Sequence, residues 1–148
     1  MNDPEVIAHL AHLLLLLKKD DLALKKLNQA LSMAPDSALV QRNLARFYLK
    51  KNKPNDALTA ATRAFNVDSH NHENRLVLAS ALAASGEKVK ALKLVESIIK
   101  ANSDYAEAYA TRGLLRLQNQ DLKKALIDFE HALTIKPHLV QLWALSAK

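Results

Sequence analysis

Apolar positions along this chain recur at the spacing of a single helical face, and that recurrence itself repeats. Ala23-Leu24, Ala57-Leu58, Ala91-Leu92 and Ala125-Leu126 follow one another at intervals of 34 residues. Four units numbered 1 to 34 from Pro4, Ala38, His72 and Ala106 place Ala11, Ala45, Ala79 and Gly113 together at position 8, always small. Position 28 is apolar throughout, with Leu31, Phe65, Ile99 and Leu133, and position 7 is Leu10, Leu44 and Leu78 before it breaks at Arg112. Small residues at positions 8 and 20 allow two helix backbones to approach, while larger groups at 7, 21, 24 and 28 are expected to fill the space around them. Self-similarity at this period marks a repeat architecture in which each unit is too small to bury its own apolar face. A stack of such units offers a long groove, not a closed pocket of convergent catalytic groups.

The polar punctuation divides each unit into two helices. Asp3-Pro4-Glu5 supplies an N-cap, a proline at the first helical position and an acid in the first turn. Asp20 or Asp21, Pro54, Gly86 and Asp121 fall near the middle of the four units, where a turn is required. Pro35 and Pro137 close the first and last units at position 32. The expectation is a helix A over about positions 1–14 and a helix B over about positions 17–30, four times over.

Composition adjusts this picture only slightly. Two Gly and four Pro leave few breakers, so helix is favoured nearly throughout, and the scarcity of aromatics calls for a core of closely packed Leu and Ala. No Cys excludes a disulfide framework and a thiolate metal site. The apolar stretch from Val6 to Leu17 is too short to span a bilayer, and its histidines and preceding acids are unlike a signal peptide. No membrane insertion is expected. The sequence assigns no compartment: the absence of Cys is compatible with the cytoplasm, which is favoured, and with the periplasm if a leader was removed.

In its Ala at position 20 and small residue at position 8, with Tyr109, Phe129, Ala132 and Pro137 in the fourth unit and Leu44, Tyr48 and Ala64 in the second, the chain resembles the tetratricopeptide repeat (TPR) family. The resemblance covers Pro4 to about Leu139. It implies an all-α, right-handed TPR superhelix forming a single domain, with repeats at 4–37, 38–71, 72–105 and 106–139. Residues 140–148, with Trp143 at position 4, read as a C-terminal cap or the start of a fifth repeat, as in a fragment of a longer array, and their apolar side chains offer a route to self-association. Arg112 and Arg116 depart from the family pattern, standing where Leu and Tyr belong. Either their stems pack while their heads reach solvent, or the fourth repeat is locally looser.

The resemblance also implies a concave wall built from helix A, chiefly its positions 2, 5, 6, 9, 12 and 13. On this chain those positions give two zones. His9, His12, Arg42, Asn43, Arg46 and Lys50 form a basic polar corner, and Leu76, Val77, Leu114 and Leu117 form an apolar stretch, with Glu73 and Glu107 at position 2. The second repeat alone carries +4 of the total net charge of +6, with six Lys/Arg against two Asp. Arg42 and Arg46 are one helical turn apart and could jointly grip a carboxylate; a merely solvated charged face is the alternative. An acid at position 2 is favoured by the helix dipole whatever the protein binds. Some members of the family clamp the C-terminal carboxylate of a peptide through Lys, Asn and further basic residues. Here those places hold Ala8 and His12, or Arg42 and Arg46, followed by Glu73 and Val77, and only Asn43 fits, so that clamp is expected to be absent.

The function expected is therefore a non-catalytic scaffold that docks a protein or peptide segment, one bearing an acidic group, in its groove as part of a larger protein or complex. The alternative is a substrate-recruiting arm of an enzyme such as a transferase. RNA recognition ranks below both, because groove positions 2, 5 and 9 do not recur in kind and Tyr109 and Phe129 fall on core positions. No cofactor is expected. His9 and His12, with His70 and His72, lack the further ligands a divalent ion needs, and no phosphate loop or nucleophile–base pair is present.

Overall fold

A computed structural model describes residues 3–137, and all regular structure among them is helical. The first helices of the four units are α1 (Pro4–Leu16), α3 (Ala38–Lys50), α5 (His72–Ala84) and α7 (Ala106–Gln118). The second helices are α2 (Asp20–Met33), α4 (Pro54–Val67), α6 (Lys88–Ala101) and α8 (Leu122–Ile135). Every helix starts 34 residues after its predecessor of the same kind. The expected cap at 140–148, with Trp143, lies outside the described residues.

Local chemistry sets the boundaries. Asp3 Oδ1 accepts the Glu5 N–H at 2.8 Å, Ser37 Oγ accepts the Val40 N–H at 3.3 Å, and Asn71 Oδ1 accepts the Asn74 N–H at 2.9 Å, so the first three A helices carry side-chain N-caps. The turn from A to B is the same four times. Lys18, Asn52, Gly86 and Gln120, one per repeat at position 15, adopt φ of 62°, 57°, 90° and 62°. The following N–H then reaches back to the helix, Lys19 to Leu14 O, Lys53 to Tyr48 O, Glu87 to Leu82 O and Asp121 to Arg116 O, all at 2.8–2.9 Å. This is the Schellman closure, in which a left-handed residue ends the helix and satisfies its last carbonyls. Gly86 and, more weakly, Asn52 are suggested by their residue types; Lys18 and Gln120 accept the same conformation without that preference.

Packing follows the small positions. Ala11, Ala45, Ala79 and Gly113 and, opposite them, Ala23, Ala57, Ala91 and Ala125 are all buried, so A and B of each repeat meet backbone to backbone. At Gly113 a β-carbon would lie 2.9 Å from Phe129 Cε1, which makes glycine the fitting residue there. Consecutive A helices touch, α1 with α3, α3 with α5 and α5 with α7, and no pair of consecutive B helices packs as closely. The ribbon therefore bends toward its A helices, which line the concave side.

Two expectations about packing are corrected. Arg112 and Arg116 neither send their heads to solvent nor leave a gap. Both guanidinium groups close on the carboxylate of Asp128 in α8, which is 1% exposed. Arg112 Nε and Nη2 donate to it at 3.1 and 2.8 Å, and Arg116 Nη1 at 2.7 Å, so charge pairing replaces the apolar contact found in the other repeats. The rule that positions 7, 21 and 28 fill the core holds for interior joints and fails at both ends, where Leu10, Leu126 and Leu133 are exposed.

Candidate functional site

The concave wall concentrates its polar chemistry where α1, α3 and α5 meet. Arg42, on α3, is only 8% exposed. Its Nη1 donates to Asn74 Oδ1 at 2.7 Å and its Nη2 lies 3.2 Å from Glu73 Oε2. Arg46, one turn further along α3, reaches the same oxygen at 3.6 Å and donates from Nη1 to Asn43 Oδ1 at 2.8 Å. The two arginines thus share a carboxylate, and it is the chain's own Glu73. Asn43 completes the arrangement by donating to Ala8 O at 3.0 Å, which ties α3 to α1. Asn74, through its amide, donates to Ala64 O and Asp68 O at the end of α4, so the Arg42 contact is anchored to the repeat 2–3 joint.

The remaining candidates divide between exposed and committed groups. His9 is exposed; His12 is half-buried with its Nδ1 unpartnered, beside the arginine pair. Burial, then the neighbouring Arg46 and His9 charges, hold the His12 pKa below its ordinary value. Burial is also the main reason Arg46 is pushed down, the Arg42 charge adding to it and Glu73 opposing it. Lys50 stands apart, donating to Leu15 O at 2.6 Å and pairing with Asp20 at 3.3 Å, so it secures α3 to the α1–α2 turn. Glu107 pairs with Lys136. Val77 is buried in the core and Leu76 packs half-buried against a second cluster. Leu114 and Leu117, three residues apart on α7, stay exposed and share one face.

One residue is missed by the sequence pattern. Tyr105, at the joint between repeats 3 and 4, has its hydroxyl pushed up to about 12, by burial first and then by Glu107 and Glu73, while Arg46 and Arg42 pull the other way. Its ring lies 5.6 Å from that of His72. The groove therefore presents a phenol that stays protonated, next to two acids and an arginine pair. An aromatic at the last position of a repeat is the available signal, and it stands outside the A-helix positions that define the concave wall. Among the described residues no three His, Cys, Asp or Glu side chains gather where a metal could sit, and no helix is long and apolar enough to cross a membrane.

Comparison with known proteins agrees with this architecture. Three family models, each described as tetratricopeptide repeat, match residues 10–68, 50–115 and 106–139. RNA polymerase II-associated protein 3 of Xenopus laevis is 30% identical over 110 residues, 72% of this chain and 16% of that protein. The chain thus spans about a sixth of the curated relatives it matches. The first TPR of Spaghetti (RPAP3), in a structure with the HSP90 peptide SRMEEVD, is 26% identical with a TM-score of 0.59, covering 74% of this chain and 90% of that one. A thermophilic TPR protein of Thermus thermophilus superposes with a TM-score of 0.82 at 23% identity, over 96% of this chain and 82% of that one, a likeness of fold.

Proposed function

Since the chain belongs to the tetratricopeptide repeat family, we propose that it is a non-catalytic scaffold that docks a segment of a protein partner along its concave wall. Such a segment would run from the arginine pair toward α7, with apolar side chains over Leu114 and Leu117 and an acidic group at Arg46. The observation that carries this reading is the state of Arg46. It is the more accessible member of the pair, its contact to Glu73 is the longer of the two, and partial desolvation of its guanidinium makes an added carboxylate favourable. Arg42 and Asn43 are the supports beneath it, since both are buried and bonded across repeat joints. The peptide seen on RPAP3 supports the class of partner, and the residues here argue for a different mode. Glu73 and the buried Val77 occupy places where a clamp for a C-terminal carboxylate would need basic groups.

The test is affinity capture from the native cell with wild type and Arg46→Ala, followed by titration of the captured partner. Charge reversal at Arg42 is unsuitable as a control, because a carboxylate there would face Glu73 inside the joint. Loss of the partner by Arg46→Ala, with unchanged circular dichroism, supports the groove. An unchanged affinity removes it. Titration with SRMEEVD separates the modes: no saturable binding is expected, and tight binding would overturn the assignment made to Glu73.

A further inference from the structure

Resting on the docking reading above, we propose that the partner's acidic group is a carboxylate seated where Glu73 now stands, and that Glu73 is a resident substitute that leaves the arginine pair when the partner docks. Arg42 Nη2 and Arg46 Nη2 converge on a single atom, Glu73 Oε2, at 3.2 and 3.6 Å. The other terminal nitrogens of the pair are committed elsewhere, Arg42 Nη1 to Asn74 Oδ1 at 2.7 Å and Arg46 Nη1 to Asn43 Oδ1 at 2.8 Å. An incoming carboxylate therefore gains both guanidinium groups only at the point that Glu73 Oε2 fills. Two carboxylates at one such point repel, so the newcomer replaces the resident group instead of joining it.

The resident contact is arranged to yield. The Glu73 side chain is 52% exposed, against 10% for Arg42 and 29% for Arg46. Its carboxylate thus meets the pair from the solvent side of the groove, and a partner's carboxylate has the same approach. Both arginines keep their places without it, because Asn74 and Asn43 hold them and are themselves bonded to Ala64 O and Ala8 O. Glu73 also has a second donor nearby. The half-buried Tyr105 makes no hydrogen bond through its hydroxyl among the described residues, whereas the Tyr109 hydroxyl donates to Ser103 O at 2.9 Å. The Tyr105 ring lies 5.6 Å from that of His72, the residue before Glu73. Burial first, then Glu107 and Glu73, push this phenol up to about 12, so it remains a donor at neutral pH. It lacks the acceptor that a buried tyrosine usually finds, and the displaced Glu73 carboxylate supplies one.

Acetate is the probe, titrated into the isotope-labelled chain while NMR follows the arginine side-chain resonances, with sodium chloride at matched ionic strength as the control. Glu73→Gln keeps the side chain's size and removes its charge. It is expected to bind acetate saturably at Arg46 and about fivefold more tightly than wild type, the scale of a partly exposed ion pair that no longer competes. Glu73→Ala is expected to do the same, which covers the case of a glutamine that holds the arginines by itself. Glu107→Gln removes an equal charge from the groove without touching the pair, and is expected to bind acetate as wild type does. Tyr105→Phe is expected to weaken acetate in the wild-type background and to change nothing in the Glu73→Gln background, since the hydroxyl acts through Glu73. Equal binding by wild type and both Glu73 variants overturns the proposal. So does binding by none of them, a chloride titration that reproduces the shifts, or an equal gain from Glu107→Gln. A Tyr105→Phe effect that is absent from both backgrounds, or equal in both, overturns the exchange onto the phenol. The docking reading fails separately, through an Arg46→Ala variant that keeps its partner, and that failure leaves the acetate result standing.

Discussion

Replacing Asp128 with Ala removes the one carboxylate on which two arginines converge. The structure sets the scale of the loss. Asp128 accepts from Arg112 in a two-pronged contact and from Arg116 at 2.7 Å, and it is 1% exposed. Removing one partner of a buried ion pair costs roughly 3–5 kcal/mol, because the remaining charge is left without compensation. Both arginine side chains are 20% exposed, so partial rehydration once Asp128 is gone brings the expectation to the lower end, about 3 kcal/mol. Urea denaturation followed by circular dichroism measures the change. Hydrogen exchange should place it in α7 and α8, since a repeat array loses stability unit by unit. The companion variant carries Arg112→Leu, Arg116→Tyr and Asp128→Ala. The first two install the leucine and tyrosine that the family pattern expects, and repeat 2 carries the small apolar Ala60 close to the place of the third. Apolar replacement of a whole buried ion cluster is neutral or stabilising by about 1–4 kcal/mol, so this variant should match or exceed wild type. A loss below about 1 kcal/mol for Asp128→Ala would mean that the clamp behaves as a surface pair, and the account of repeat 4 would fail.

Three further outcomes follow from the same geometry. Gly86→Ala should cost about 1–2 kcal/mol through backbone alone, since nothing stands within 4 Å of the added carbon while φ is +90°; Gln120→Gly at the equivalent turn should raise the melting temperature. Gly113→Ala should destabilise by roughly 1–3 kcal/mol through contact with the Phe129 ring, and in a Phe129→Leu background the penalty should shrink toward the helix-propensity gain of alanine; equal penalties in both backgrounds would refute the contact. His12 is held neutral in the fold by burial and by Arg46, His9 and Arg42, against Glu73, so the unfolded chain takes up its proton first as pH falls below 6.5. Stability should therefore decline on acidification through that window, down to the depressed folded value, and the His12→Gln variant should decline less.

The apolar period makes the helices legible, because a stack of hairpins must repeat its small positions to let backbones meet. Ala11, Ala23 and their equivalents therefore determine both register and turn placement. The polar contacts are less legible, because their partners come from other repeats. Glu73 reads as an acid for the helix dipole, and Arg42 as a groove ligand, yet the two lie in one joint with Asn74. Asp128 gives no signal as the reason for Arg112 and Arg116, since it sits sixteen and twelve residues away on another helix. The left-handed turns at Lys18 and Gln120 are hidden because long side chains carry no mark of that backbone conformation, whereas Asn52 is of a type that favours it.

The hydrogen bonds that cross from one repeat to another have a consequence for how the array is ordered. Asn43 donates to the Ala8 carbonyl and Asn74 to the Ala64 carbonyl, groups that any repeat presents, but Asn74 also accepts from Arg42, a side chain that only the second repeat carries at that position. Alanine and leucine alone would let any unit follow any other. The Arg42–Asn74 pair therefore makes the second and third repeats a fixed succession, and a chain in which another repeat preceded the third would leave the Asn74 side-chain oxygen without its guanidinium partner inside the joint.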